Sequence, residues 1–447
     1  MTTSRPSGPP APVARREIVA WAMFDFANSS YTTIIVTVAF SVYFTSLVAP
    51  PGRADFLWGL GVLVSNGLVV LLSPLAGAIA DGSGHKKRFL FASYAACVAG
   101  TAALWFVLPG AVWLGLGLFV VSNVAFSLGE NFVAAFLPEI ATARTIGRIS
   151  GFGWGLGYFG GLLSLLAIAP LLAGDFVAAN VPNLRLAWLV TAGFFAVAGI
   201  PTFVWLRERA PRGPRRGLAE HARVGYGRLA ETLRSLAHFR DLARFLAVFF
   251  VFNCGLAAVI TFSAIYAKGT LAFTGGEIIT LFLVVQISSA LGALGFGWIQ
   301  DRLGALRTVR VTLVLWVAVC LGAYLAVDKS TFWGVALAAG LGIGSLQSAC
   351  RALVGLFAPL EKTGEFFGFW GLAGKAAFAV GPFVFGALAS LTGSQRVAIL
   401  STGLFFVGGL AALGGIDEGR GRAAAATWRR RDPGPAADPA ARRFPAA

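Results

Sequence analysis

Twelve stretches of this chain are each apolar over about 20 residues, the length a helix needs to cross roughly 30 Å of hydrocarbon. They run near 19–48, 57–80, 89–108, 112–136, 148–172, 186–206, 244–267, 277–299, 308–327, 332–357, 365–391 and 397–416. Composition says the same from another side. Of 447 residues, 57% are hydrophobic and only 13% charged, against about 25% charged in ordinary globular chains. Too few polar side chains remain to coat a globule, so most of the outer surface faces lipid. A soluble enzyme, a secreted disulfide scaffold and a disordered chain are excluded, and the expected fold is all-α and integral to the membrane.

The charge is lopsided, with 36 Lys and Arg against 20 Asp and Glu. Its placement argues against a nucleic-acid partner, because the basic residues fall in short clusters between apolar runs, as loops facing an anionic leaflet do. With both termini cytoplasmic, 29 of the 36 basic residues fall on the cytoplasmic side. Five fall outside: Arg53, Arg185, Lys268, Lys329 and Arg396. Loop positives set orientation, so both termini are expected in the cytoplasm and the chain in a bacterial inner membrane.

The longest connection, 207–243, holds the densest basic run, including Arg207, Arg209, Arg212, Arg215 and Arg216. It separates a six-span bundle over 18–206 from a second over 244–416. Within it Leu229, Leu233, Leu236 and Phe239 recur at helical spacing, which fits either an amphipathic helix at the headgroup surface or a solvated linker with some helix. Residues 1–17 and 417–447 are polar, rich in Pro or in Ala and Arg, and read as disordered cytoplasmic tails. The first span continues without a small-residue cleavage site, so it is expected to be retained rather than removed as a signal peptide.

Cys97, Cys254, Cys320 and Cys350 all lie inside apolar runs without paired spacing, and His85, His221 and His238 sit in charged connections. Neither a disulfide framework nor a metal or cofactor site is expected. GLAGKAA at 371–377 lacks the first glycine and the hydroxyl residue of a phosphate loop, so nothing supports ATP hydrolysis.

The two halves repeat. GAIADGSGHKKR at 77–88 follows span two and GWIQDRLGALR at 297–307 follows span eight, so that Gly77, Asp81 and Gly84 recur as Gly297, Asp301 and Gly304 at an offset of 220. Pro138 returns as Pro359, and the glycine-rich span five has its counterpart in span eleven. This doubled G-x-x-x-D-x-x-G spacing resembles the loop signature of the major facilitator superfamily. The resemblance implies twelve helices in two pseudo-symmetric six-helix bundles. It also implies a cytoplasmic latch on Asp81 and Asp301, weaker at the first copy, where Gly82 stands in place of the basic residue held by Arg302 in the second. WAMFDFANSSYTTIIVT at 21–37, QSACRAL at 347–353 and EFFGFWGLAGKAAFAVGP at 365–382 resemble the bacterial relatives of the autophagy-linked vacuolar amino-acid effluxers. That resemblance covers roughly 18–416 and implies a secondary transporter without fixing its substrate.

Ionisable side chains inside spans are functional candidates because hydrocarbon penalises them. Four stand out: Asp25, Glu130, Arg351 and Lys375. Glu130 and Arg351 lie 221 positions apart, close to the repeat offset, and the superfamily resemblance implies that helices four and ten face each other. The pair is therefore expected to act as a cytoplasmic-side gate, against separate structural partners for each. Asp25 precedes the polar run Asn28, Ser29, Ser30 and Tyr31. With Glu130 it is a candidate to carry protons, unless it only starts a helix at the interface. Lys375, among small neighbours, could bind a substrate carboxylate or an internal partner. Asn66, Asn253, Gln286 and Gln347 could complete a site or merely join helices. The glycines of span five make G-x-x-x-G pairs whose expected use is packing between moving halves of a single chain.

The reading is a monomeric transporter working by alternating access, with a small amino-acid-like substrate and proton-coupled efflux. An exporter of drugs or hydrophobic metabolites is the second transport reading, and a non-transporting membrane sensor is the alternative from another class.

Overall fold

The computed structural model describes residues 13–82, 85–141, 146–209, 217–236, 238–359 and 363–431. Among them, twelve helices are long and apolar enough to cross a membrane. Spans one to six are Arg15–Val48, Ala54–Ala78, Lys86–Phe106, Val112–Ala134, Gly151–Leu172 and Ala178–Trp205. Spans seven to twelve are Arg240–Leu271, Gly275–Ala293, Ala305–Leu325, Lys329–Phe357, Glu365–Thr392 and Gln395–Gly415. Each coincides with an apolar stretch of the sequence to within eight residues at either end. Phe159, Val197, Leu391 and Leu404 are more than 60% exposed, a placement that suits acyl chains as the solvent. All four cysteines are buried and unpaired.

The chain divides into two compact units, Met1–Gly225 with Thr261–Leu283, and Tyr226–Ile260 with Val284–Ala447. In the first, span five lies against span one through its glycines. A Cβ on Gly160 would stand 1.9 Å from the Phe26 carbonyl oxygen, and one on Gly153 would meet Trp21 and the Asp25 carboxylate at 2.7 Å. The sequence reading assigned these glycines to packing between halves. Their close approaches are instead within the first unit, while Gly151 and Gly155 face open space. Span six joins the same face, where the Thr202 hydroxyl donates to the Ala20 carbonyl at 2.7 Å.

Span one changes pitch after its polar run. Residues Thr32–Val38 and Phe44–Val48 wind as wider turns, in which the Ala39 and Ala49 amides reach back five residues to Ile34 and Phe44. Beyond that point Phe40, Phe44, Trp58, Phe119 and Trp188 pack as an aromatic core, with Trp58 and Phe119 ring centres 4.5 Å apart.

The ends of spans seven and eight that belong to this unit are held by Asp175, in the turn after span five. Its backbone is left-handed, with φ 63. Its carboxylate accepts from Lys268 Nζ at 2.6 and 2.7 Å, from the Phe176 amide at 2.7 Å and from the Gly275 amide at 3.1 Å. Gly275 cannot be replaced there without a shift, because its Cβ would come within 2.3 Å of the Leu172 carbonyl oxygen.

The second unit repeats the glycine device. A Cβ on Gly381 of span eleven would stand 2.0 Å from the Cys254 carbonyl oxygen of span seven, and Gly381 lies 221 positions after Gly160. Gly344 of span ten approaches the Ser289 carbonyl of span eight in the same way.

Two departures concern the tails. Residues 15–17 begin the first helix, and Glu17 is buried in an ion pair with Arg209 at 2.7 Å. Residues Glu418–Arg431, read from sequence as disordered, form a helix. The physical reason is partnership rather than propensity. Arg420 donates to both oxygens of the buried Asp241 carboxylate, at 2.6 and 2.5 Å, and Glu418 accepts from the Leu306 amide at 3.2 Å. The linker forms a helix over Leu218–Leu236. Of its apolar repeat, Leu236 and Phe239 are buried and Leu233 is exposed. Residues 1–12, 210–216, 237 and 432–447 of the predicted tails and linker lie outside the described residues.

Candidate substrate site

The second unit contains a cavity of about 130 Å³ walled by three spans. Span seven contributes Phe249 and Asn253, span ten Gln347, and span eleven Trp370, Gly374 and Phe378. By the measure that a water needs at least about 10–15 Å³, the space admits roughly ten water-sized groups, the scale of a small solute. Each wall has a local cause. Gly371 and Gly374 carry no side chain on the face of span eleven that borders the space, and a Cβ on Gly374 would come no nearer than 3.9 Å to the Asn253 amide.

Asn253 is only 5% exposed. Trp370 packs against Phe249 with ring centres 5.6 Å apart and against Phe367 at 6.1 Å. The Arg351 guanidinium carbon lies 6.0 Å from the Trp370 ring centre, a cation–π distance. The cavity is therefore aromatic, carries two amide side chains, and has a fixed positive charge beside its tryptophan.

At the ends of the first unit's helices stands a separate charge network. Lys86 pairs with Glu139 and donates to the Ala135 carbonyl at 3.2 Å. The Lys86 amide donates to Glu208 at 2.6 Å and the Arg209 amide to Glu139 at 2.7 Å. With Glu17–Arg209, these contacts tie the start of span one, the start of span three, the segment after span four and the segment after span six. They clamp one end of the bundle. Among the described residues, no group of three His, Cys, Asp or Glu side chains comes together as a metal site.

A model of the vacuole effluxer Atg22-like family matches residues 60–426. The chain belongs to that family. Among relatives, this Atg22-like chain is similar to the MFS-type transporter YxiO of Bacillus subtilis, 28% identical over 408 residues that make up 89% of this chain and 94% of that one. It is also similar to Autophagy-related protein 22-1 of Aspergillus fumigatus, 26% identical over 303 residues. Those residues are 61% of this chain and 49% of the fungal protein, so the match spans about half of that relative. Among solved structures, a bacterial homologue of the human lysosomal transporter Spinster, inward-facing and unoccupied, superposes with a TM-score of 0.69 at 12% identity over 96% of this chain and all of that one. A D-xylose–proton symporter gives a TM-score of 0.67 at 14% identity over 90% and 98% of the two chains. The fold is that of the major facilitator superfamily, and the Atg22-like chain is an MFS-type transporter, not an enzyme.

In this Atg22-like transporter the residues singled out from sequence separate. Gln347 lines the cavity, Arg351 stands over its tryptophan, and Lys375 follows the cavity-lining Gly374. Asp25 belongs to the span-one and span-five packing of the first unit, where a Cβ on Gly153 would meet its carboxylate at 2.7 Å, and Asn28 is buried on span one. Glu130 is half-buried on span four.

Of the signature residues, Gly77 is helical with open space beside it, and Arg302 is exposed. Gly304 adopts φ +86 at the start of span nine. Gly84 lies outside the described residues, as do the side-chain surroundings of Asp81, Gly297 and Asp301. The Leu306 amide at the start of span nine donates to Glu418, a residue the sequence reading left in the tail. Sequence reasoning also passed over Trp370 and Phe249. An aromatic residue in a span carries no signal of its own, although the quoted resemblance segment did contain Trp370.

Proposed function

We propose that the chain moves a small amino-acid-like solute by alternating access, as proton-coupled efflux, across a bacterial inner membrane with both termini in the cytoplasm. The cavity of the second unit carries this reading. Its size suits a small solute, its Asn253 and Gln347 amides can orient a polar group, and Arg351 at 6.0 Å from Trp370 biases it toward a negative one. The family's description as effluxers supports the direction, and the fold likeness to a proton symporter supports protons as the coupling ion.

In this proposal Asp25 and Glu130 carry protons, and Glu130 and Arg351 form the gate suggested by their repeat-equivalent positions. Lys375 contributes charge to the substrate path, and the chain works as a monomer. Export of hydrophobic solutes is the second reading, favoured by the aromatic walls Phe249, Trp370 and Phe378. The neighbouring guanidinium weighs against cationic drugs as cargo.

Counterflow in proteoliposomes tests the choice, with the twenty L-amino acids in one panel and hydrophobic cations in another, each with and without a proton gradient. Exchange confined to amino acids and accelerated by the gradient supports the proposal. Exchange of the cations alone selects the second reading, and no exchange in either panel sinks both.

A further inference from the structure

Asn253 occupies a position that the two halves of the chain build alike and use differently. In the first unit a Cβ on Gly153 of span five would meet Trp21 and the Asp25 carboxylate at 2.7 Å, and one on Gly160 would meet the Phe26 carbonyl. In the second unit the glycines 221 positions on, Gly374 and Gly381 of span eleven, look onto Phe249 and Asn253 and onto the Cys254 carbonyl. Trp21, Asp25 and Phe26 thus correspond to Phe249, Asn253 and Cys254, each pair 228 positions apart. The copies differ in spacing and in charge. The first is closed, whereas a Cβ on Gly374 would come no nearer than 3.9 Å to the Asn253 amide nitrogen, and that gap belongs to the cavity. Where the closed copy holds a carboxylate, the open copy holds a neutral amide.

Asn66, Asn123 and Asn131 show the ordinary use of an asparagine in a span. They donate to the Val62 carbonyl at 3.0 Å, the Ser65 hydroxyl at 2.9 Å and the Ser73 hydroxyl at 3.0 Å. The Asn253 amide makes no hydrogen bond among the described residues, although the residue is only 5% exposed. Nor is the amide sealed away as the indole nitrogens of Trp58, Trp188, Trp316 and Trp370 are. It keeps accessible surface, and the residue borders the cavity. Asn28 also lacks a described partner, but it does not border this cavity. Asn253 therefore turns an unmet donor and an unmet acceptor toward an open space.

A primary amide offers a carbonyl acceptor and an N–H donor side by side. The group that meets both at once carries an acceptor next to a donor, as the carboxylate and ammonium of an α-amino acid do. Resting on the substrate cavity proposed above, we infer that Asn253 is its specificity-determining residue: Nδ2 donates to the carboxylate of the solute and Oδ1 accepts from its ammonium. The aromatic walls Phe249 and Phe378 take the solute's side chain. Neutrality is essential to this role, because an acid at 253 would repel the carboxylate. A solute with only one of the two groups leaves half of a buried amide unpaired and gains less on binding.

The test uses the full-length chain in lipid nanodiscs, with binding read by titration and by ligand-induced shift of the melting point. Three equimolar mixtures serve as probes: the twenty L-amino acids, the matching amines that lack the carboxylate, and the matching carboxylic acids that lack the ammonium. Wild type is expected to bind the amino acids about tenfold more tightly than either single-ended set. Asn253→Leu keeps the shape and removes both polar atoms. It is expected to melt near wild type without ligand and to bind the three sets alike. Asn253→Asp keeps the acceptor, loses the donor and adds a negative charge, and it is expected to bind the amines more tightly than the amino acids.

Gly374→Leu fills the cavity from a position whose Cβ has room, and it is expected to abolish binding of all three mixtures. If Gly374→Leu abolishes binding while either Asn253 variant keeps the wild-type preference, the cavity stands and the role of Asn253 is refuted. Binding undisturbed by Gly374→Leu, or no amino-acid binding by wild type, overturns the cavity reading together with this one.

Discussion

At the scale of single residues, the clearest constraints are glycines that meet a carbonyl. Gly160 leaves 1.9 Å between a built Cβ and the Phe26 oxygen, so any larger residue must push spans one and five apart. Gly160→Ala is expected to destabilise the transporter by about 1–3 kcal/mol, the usual cost of overpacking. Gly155→Ala, where nothing lies within 4 Å, is expected to be neutral or slightly stabilising. Thermal unfolding in one detergent compares the two.

Asp175 offers a pH test. Burial pushes its carboxyl up, but the Lys268 ammonium and the Phe176 and Gly275 amides outweigh that and hold it below its ordinary value of 3.8. The folded value is depressed, so the pairing contributes fully above the ordinary value and is lost as pH falls through the folded one. Protection of the Phe176 and Gly275 amides from hydrogen exchange, taken relative to their intrinsic rates, is therefore expected to hold from neutral pH down to the ordinary carboxyl value and to fall as pH drops below it. Asp175→Asn should show the reduced protection at neutral pH as well.

Among the elements, the helix Glu418–Arg431 departs furthest from expectation. Its composition is polar and its apolar pattern weak, yet Arg420 closes over a buried Asp241 and Glu418 covers the start of span nine. Gly304 makes that contact feasible: its φ of +86 suits glycine, and a Cβ there would sit 3.2 Å from a Glu418 oxygen. Removing Arg420 leaves Asp241 charged and unpartnered by a guanidinium. Arg420→Gln is expected to lower the melting point by several degrees, and Asp241→Asn in the same background should recover most of the loss. If the second change lowers stability further, the pairing does not hold the helix.

The linker helix was likewise only partly legible, and the wide turns of span one not at all. The leucine spacing fitted either an amphipathic helix or a solvated linker with some helix, and the buried end depends on Phe239 meeting Phe366 at 5.3 Å, a contact between residues remote in sequence.

For the molecule as a whole, the orientation proposed from 29 of 36 basic residues is directly measurable. A green fluorescent reporter fused at the C-terminus is expected to fluoresce and an alkaline phosphatase fusion at the same point to be inactive; the reverse pattern inverts the topology. What the sequence determined by itself was the number of spans, their approximate limits, the doubled loop signature and a family resemblance that the family match supports. Those properties are one-dimensional, because bilayer thickness sets span length and charge is recorded residue by residue.

The cavity was not legible in that way. Phe249, Gln347 and Trp370 come from three spans about 100 and 20 residues apart in sequence, and they converge only when each helix is rotated to a particular face. Spans that are apolar all round carry little periodic signal of that rotation. Tertiary structure alone decided it, through glycines seated against carbonyls and through partners such as Glu418 for the start of span nine.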